Sequence, residues 1–175
     1  MGKPLLTREL MSSNLACYPH VLAGLYTTVA FNITGGSVLR WFRDEVATDE
    51  TEQARKAGED PYVRIIAAAA DAPARIVMLP HFGPTGTPFF DASGAGVFFG
   101  LKLSTSRGEL IRSVLEGITY EMKWNLTILG ESGFSLSEIR AVGGGAKNQR
   151  WMQIKADILG MPLRTMQVTE ATCAG

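Results

Sequence analysis

The chain has no excess of charge of either sign. Its 175 residues carry 17 Lys and Arg against 17 Asp and Glu. Such a balance presents no net positive field to nucleic acid or to anionic lipid. Small molecules and proteins are the expected partners, not nucleic acid and not membrane. Histidine and cysteine are scarce, two of each: His20, His81, Cys17 and Cys173. They form no Cys/His cluster, which argues against a transition-metal site and leaves no metal ligands to name. No stretch approaches the roughly 20 apolar residues needed to span a bilayer. The start, MGKPLLTREL, lacks the apolar run of a signal peptide. Free thiols in a reducing cytoplasm are the resulting expectation. Without a secretion signal, the Asn-x-Thr triplets at Asn32 and Asn125 are read as chance.

The familiar catalytic and phosphate-holding patterns are missing too. The segment GGGAKNQRW, from Gly143 to Trp151, has no Ser or Thr after Lys147 and so is not a Walker A loop. It is not Gly-x-Gly-x-x-Gly either, because Asn148 stands at the last position. No serine sits in a nucleophile elbow, and Cys173 has no visible histidine partner. His81 and Asp91 could act as base and acid, but nothing in the sequence pairs them.

What is present is a chain able to fold. It is 46% hydrophobic and 19% charged, which suits one domain of ordinary size or a large piece of a bigger one. Residues 15–32 are rich in strand formers. Helical spacing follows over SVLRWFRDEV, after Gly35 and Gly36, with Trp41 in the core; the free amides of this helix start either offer a site to a phosphate or belong to a simple turn capped by Thr34 or Ser37. Arg43, Asp44 and Glu45 read as a solvated face. Residues 48–56 form a short helix or a loop, and residues 60–72 a helix. Residues 75–79 and 96–103 read as strands, separated by a loop thick with Pro and Gly. Ser106 and Glu109 make a capping box at the head of a long helix to Gly130. A βαβ-like unit closes the chain: strand 139–142, helix 148–159, strand 162–168. The glycine turn lies at the end of its first strand, where ligands of α/β sheets usually bind. Taken alone, this turn is either a tight corner requiring positive φ or a surface on which a flat ligand lies against backbone.

Several segments together resemble the FGGY family of carbohydrate kinases, which includes xylulokinases, glycerol kinases, gluconokinases and ribulokinases. GVFFGLKLSTSRGELIRSVLEG looks like its second signature. LPHFGPTGTPFFDASGAG is similar to its Pro-rich loop, with Thr87-Pro88, Phe90 and Asp91 in place but the usual Glu-Arg pair replaced. AVGGGAKNQRWMQIKADILGMPL is close to the adenine-site segment, and the helix start over residues 33–44 matches as well. Within the family the pattern looks most like xylulokinases.

The resemblance implies an α/β fold of the actin-like, ribonuclease H-like ATPase type, a mixed sheet flanked by helices. Residues 1–175 would be an incomplete C-terminal, nucleotide-binding domain of a two-domain sugar kinase. ATP and Mg2+ are the implied cofactors. The sugar, a pentulose such as xylulose, would be met mainly through the other domain. By position, Gly144 and Asn148 would contact adenine or ribose, Gly143 and Gly145 would shape the turn, and Gly36 and Arg40 would face the nucleotide from the earlier helix. No residue matches the family's catalytic aspartate, so the isolated chain is expected to be inactive. TEATCAG resembles the start of a closing helix, so the domain is expected to be cut at both ends. The alternative is a non-catalytic module that dimerises or joins a separately encoded N-terminal half.

Overall fold

The computed structural model describes residues 7–166. Helix α1 (Arg8–Ser12) starts at Thr7, whose hydroxyl accepts from Leu10 N. It docks Leu10, with Leu15, against Leu129 in a small satellite core. Strands β1 (Cys17–Pro19) and β2 (Tyr26–Thr28) then pair antiparallel, with Cys17 opposite Thr28.

Three helices follow. The first, α2 (Gly35–Glu45), buries Val38, Leu39 and Phe42 along one stripe. The second, α3 (Thr48–Ala57), carries Asp49 and Glu50 in its first turn and Arg55 and Lys56 in its last, each opposing the local end of the helix dipole. The third, α4 (Pro61–Ala67), is capped by Asp60, whose carboxylate accepts from Tyr62 N at 2.9 Å.

Helix α4 stops five residues short of the sequence expectation, and the reason is tertiary. Arg150 donates to the carbonyls of Ala67 and Ala69, and the amide of Ala70 donates to Gly108 O. The groups that would have continued the helix are bonded to other elements.

Strands β3 (Val77–Leu79) and β4 (Val97–Phe99) pair antiparallel, and Met78, at the centre of β3, turns its side chain into the core. Helix α5 (Arg107–Glu131) runs 25 residues from the predicted Ser106–Glu109 capping box. It is the axis of the molecule, burying Ile111, Val114, Leu115 and Ile118. The closing unit has the elements and order expected, β5 (Ile139–Ala141), α6 (Gln149–Leu159) and β6 (Leu163–Thr165), with β5 and β6 parallel, though β6 already ends at Thr165. Val168, the expected end of the last strand, lies outside the described residues. The sheet component is mixed, and among the described residues it comes as three separate two-stranded pieces. The main core is helical, joining Phe42, Ile65, Leu115, Trp151 and Ile154 from α2, α4, α5 and α6. This packing draws one side of α2 and α4 toward the turn ahead of α6.

Candidate functional site

Three walls surround a cavity of about 560 Å3 between α2, α4 and the turn before α6. The α2 wall begins with Gly36, where a Cβ would meet nothing within 4 Å. No side chain caps α2. The Thr34 hydroxyl is directed instead to the carbonyl of Pro80, so neither expected cap is used. Uncapped amides at a helix start favour an anion. One turn along, Arg40 is exposed and makes no hydrogen bond or ion pair among the described residues.

The second wall is the glycine turn. Gly143 has φ of +88°, a conformation that L side chains rarely adopt, and it does not itself line the cavity. It turns the chain into a short 3-10 segment, Gly144–Lys147. Gly144 faces open space. Gly145 lies under the Trp151 ring, where a Cβ would stand 2.9 Å from Cζ3. Asn148 caps α6, its Oδ1 accepting from Trp151 N at 3.1 Å. Its carbonyl oxygen is thus engaged, and only its NH2 is free to donate to a ligand. Behind Trp151, the Lys155 ammonium lies 4.4 Å from the ring centroid, and burial pushes its pKa below the usual lysine value.

The third wall is α4, with Asp60, Tyr62, Val63 and Ile66. Its aromatic member is held firmly. Arg43 donates to the Tyr62 hydroxyl at 3.0 Å and lies 5.1 Å from the ring centroid. Asp44 in turn binds Arg43 through both carboxylate oxygens, at 2.6 and 3.0 Å. The face read as merely solvated therefore braces a cavity wall.

The structure brings Gly36, Arg40, Gly144, Gly145 and Asn148 to one cavity, with Gly143 just behind it. Sequence reasoning missed Asp60, Tyr62 and Lys147. The Asp60-Pro61 pair is a local helix-start signal, but nothing local says what that start faces. Trp41, expected in the core, is 38% exposed and packs against Phe82 with the ring centroids 4.6 Å apart and the rings tilted by 49°. His81 Nδ1 is 3.8 Å from Glu121 Oε1, a pairing that the sequence did not show. Asp91 accepts from Ser93 N and Oγ, which hold it below the usual carboxylate range. None of these groups lines the cavity. Cys173 lies outside the described residues.

The cavity's features suit a nucleoside polyphosphate. Its volume falls in the usual range for small-molecule sites. Glycine backbone lies open on two walls, and the cations Arg40 and Lys147, which make no ion pair among the described residues, stand on its lining. Among the described residues, no group of three or more His, Cys, Asp or Glu side chains gathers to hold a metal ion.

Comparison with known proteins adds the family. The model of the FGGY family of carbohydrate kinases, C-terminal domain, matches residues 4–175. The glycerol kinase of Thermus thermophilus is 31% identical over 166 residues, covering 87% of this chain and 32% of that protein. The gluconokinase of Bacillus licheniformis is 32% identical over 145 residues, covering 81% and 28%. Among solved structures, the gluconate kinase of Lactobacillus acidophilus superposes with a TM-score of 0.79 at 26% identity, covering 98% of this chain and 33% of that one. The ligand-bound xylulose kinase of the same organism gives 0.73 at 27%, covering 89% and 30%. The chain spans about a third of the length of the curated relatives it matches.

Proposed function

Given that this chain belongs to the FGGY family of carbohydrate kinases, we propose that it forms the ATP side of an enzyme that transfers a phosphoryl group to a sugar hydroxyl. The observation that carries this reading is that residues far apart in the chain line one shared cavity. Gly36 and Arg40 are separated by about a hundred residues of chain from Gly144, Gly145 and Asn148, yet all five line it. Gly144 and Asn148 hold the adenine or ribose, the Asn148 NH2 donating to an acceptor on it. Gly143 and Gly145 keep the turn in shape. Gly36, with the uncapped amides of α2, and the cations Arg40 and Lys147 lie toward the phosphates.

ATP, when bound, supplies the phosphoryl group, with Mg2+ balancing charge on its phosphates. This chain's residues bind and orient it, and catalysis of this kind rests on positioning and electrostatics. The acceptor is proposed to be a pentulose such as xylulose, supported by the helix-start pattern of residues 33–44 and by likeness to solved xylulose kinases. The curated relatives include glycerol kinases and a gluconokinase, so an acceptor panel must contain glycerol and gluconate as well. Titration calorimetry of the 175-residue chain with ATP tests the site, and binding is expected. Absence of heat with ATP, with the chain folded by circular dichroism, would sink the reading. Turnover of any acceptor by this chain alone is not expected, and a coupled assay checks that.

A second reading, association with another chain, has one observation in its favour. The outward residues of the β3–β4 ribbon, Val77, Leu79, Val97 and Phe99, are all exposed and apolar. Sedimentation over a range of concentrations distinguishes a monomer from a homodimer.

A further inference from the structure

The α4 wall has a role that the glycine turns and the cations do not fill. Three charged side chains line the cavity: Arg40, Lys147 and Asp60. Two are cations and one is an anion, so the cavity is electrically polar. Asp60 repels phosphate, which puts the phosphates away from the start of α4. The order along α2 agrees. Gly36 and the uncapped amides stand at one end of that helix, while Arg43, seven residues on, reaches Tyr62 near the start of α4. Seven residues of helix span about 10 Å, roughly the distance from a nucleoside to the far phosphates. The Asp60 end is therefore the nucleoside end.

A carboxylate only accepts hydrogen bonds. One oxygen of Asp60 is engaged by Tyr62 N at 2.9 Å, and the other makes no hydrogen bond among the described residues. An adenine edge sets its amino donor beside a ring-nitrogen lone pair, which a carboxylate repels. A ribose diol can turn both hydroxyls to donate, with no lone pair forced toward the carboxylate. The same complementarity lets an acidic residue take ribose hydroxyls in dinucleotide-binding folds. We infer that the Asp60 carboxylate recognises the ribose hydroxyls of the bound nucleotide and so selects a ribonucleotide over its deoxy forms. This inference rests on the ATP-side reading of the cavity.

The test is calorimetric and needs no turnover. Affinities for ATP and for 2′,3′-dideoxy-ATP are measured on the 175-residue chain, on Asp60→Asn and on Asp60→Ser. Both replacements also cap helices well, so α4 should hold, and circular dichroism checks it. The unmodified chain should bind dideoxy-ATP roughly tenfold more weakly or worse, the scale of a hydrogen bond to a charged group. In both variants that gap should close to about twofold or less, with affinity for dideoxy-ATP little changed. If the unmodified chain binds the two nucleotides equally, or the variants keep its preference, the ribose assignment is overturned while the ATP site stands. If the variants instead change preference between ATP and inosine triphosphate, Asp60 reads the base and the assignment is likewise overturned. Failure of the unmodified chain to bind any nucleotide overturns the underlying reading, and this inference with it.

Discussion

The Trp151 ring lies so close over Gly145 that a Cβ on the glycine would meet Cζ3 at 2.9 Å. The neighbouring Gly144 has nothing within 4 Å of the same position. Two adjacent glycines are thus needed for different reasons, one for packing and one for access.

Gly145→Ala should destabilise the fold by about 1–3 kcal/mol, the usual cost of overpacking, because Trp151 is buried and braced by Lys155. Gly144→Ala should change stability by no more than about 0.5 kcal/mol yet weaken ATP binding, since its methyl projects into open space beside the cavity. Thermal melts and calorimetry separate the two, and equal stability losses would contradict this division.

Arg40 and Lys147 should act on the phosphates alone. Arg40→Ala and Lys147→Ala are each expected to weaken ATP roughly tenfold, as for a lost charge-assisted contact, and to leave adenosine unchanged. Raising the salt should shrink the effect by screening. An equal loss for adenosine would place these side chains elsewhere.

Glu121 should make stability depend on pH. Burial raises its carboxyl from 4.5 to about 7. The raised value means that the folded state holds a proton that the unfolded state releases first. Stability due to this group is therefore complete below about pH 4.5, falls through the interval, and reaches its lowest level above about pH 7. Glu121→Gln should leave stability at pH 4.5 nearly unchanged and raise it at pH 8 by up to about 3 kcal/mol, from 1.36 kcal/mol per unit. Urea melts at the two pH values measure this, and a variant no more stable at pH 8 would refute it.

The capping box gives a purely structural control. Ser106→Ala removes the hydroxyl that accepts from Glu109 N at 3.2 Å and should cost about 1 kcal/mol. It should lower the melting temperature without changing ATP affinity.

Much of this was legible in the sequence because the signals are local. Ser106 and Glu109 satisfy each other's amides within one turn, so the start of α5 is written in four residues. Gly143 and Gly160 hold positive φ where the chain leaves a strand or a helix, and the unit between them folded as read. The family motifs marked Gly36, Arg40, Gly144 and Asn148 as one set. Other features were not legible. The alanine-rich run after Ile66 reads as helix, yet Arg150 and Gly108 draw its backbone groups away. Trp41 has helical spacing that suits burial, but α2 turns it toward Phe82 at the surface.

Capping, turn chemistry and hydrophobic spacing, acting between residues near in sequence, settled the helices, the closing βαβ unit and the two glycine turns. Tertiary packing alone decided that α4 completes the cavity, that Tyr62 is braced by Arg43, and that Asp60 shares a lining with Arg40 and Lys147. Those residues meet because the apolar faces of α2, α4 and α6 bury together against α5. Hydrophobic burial is not directional, so no local pattern in the chain records which polar side chains it will bring face to face.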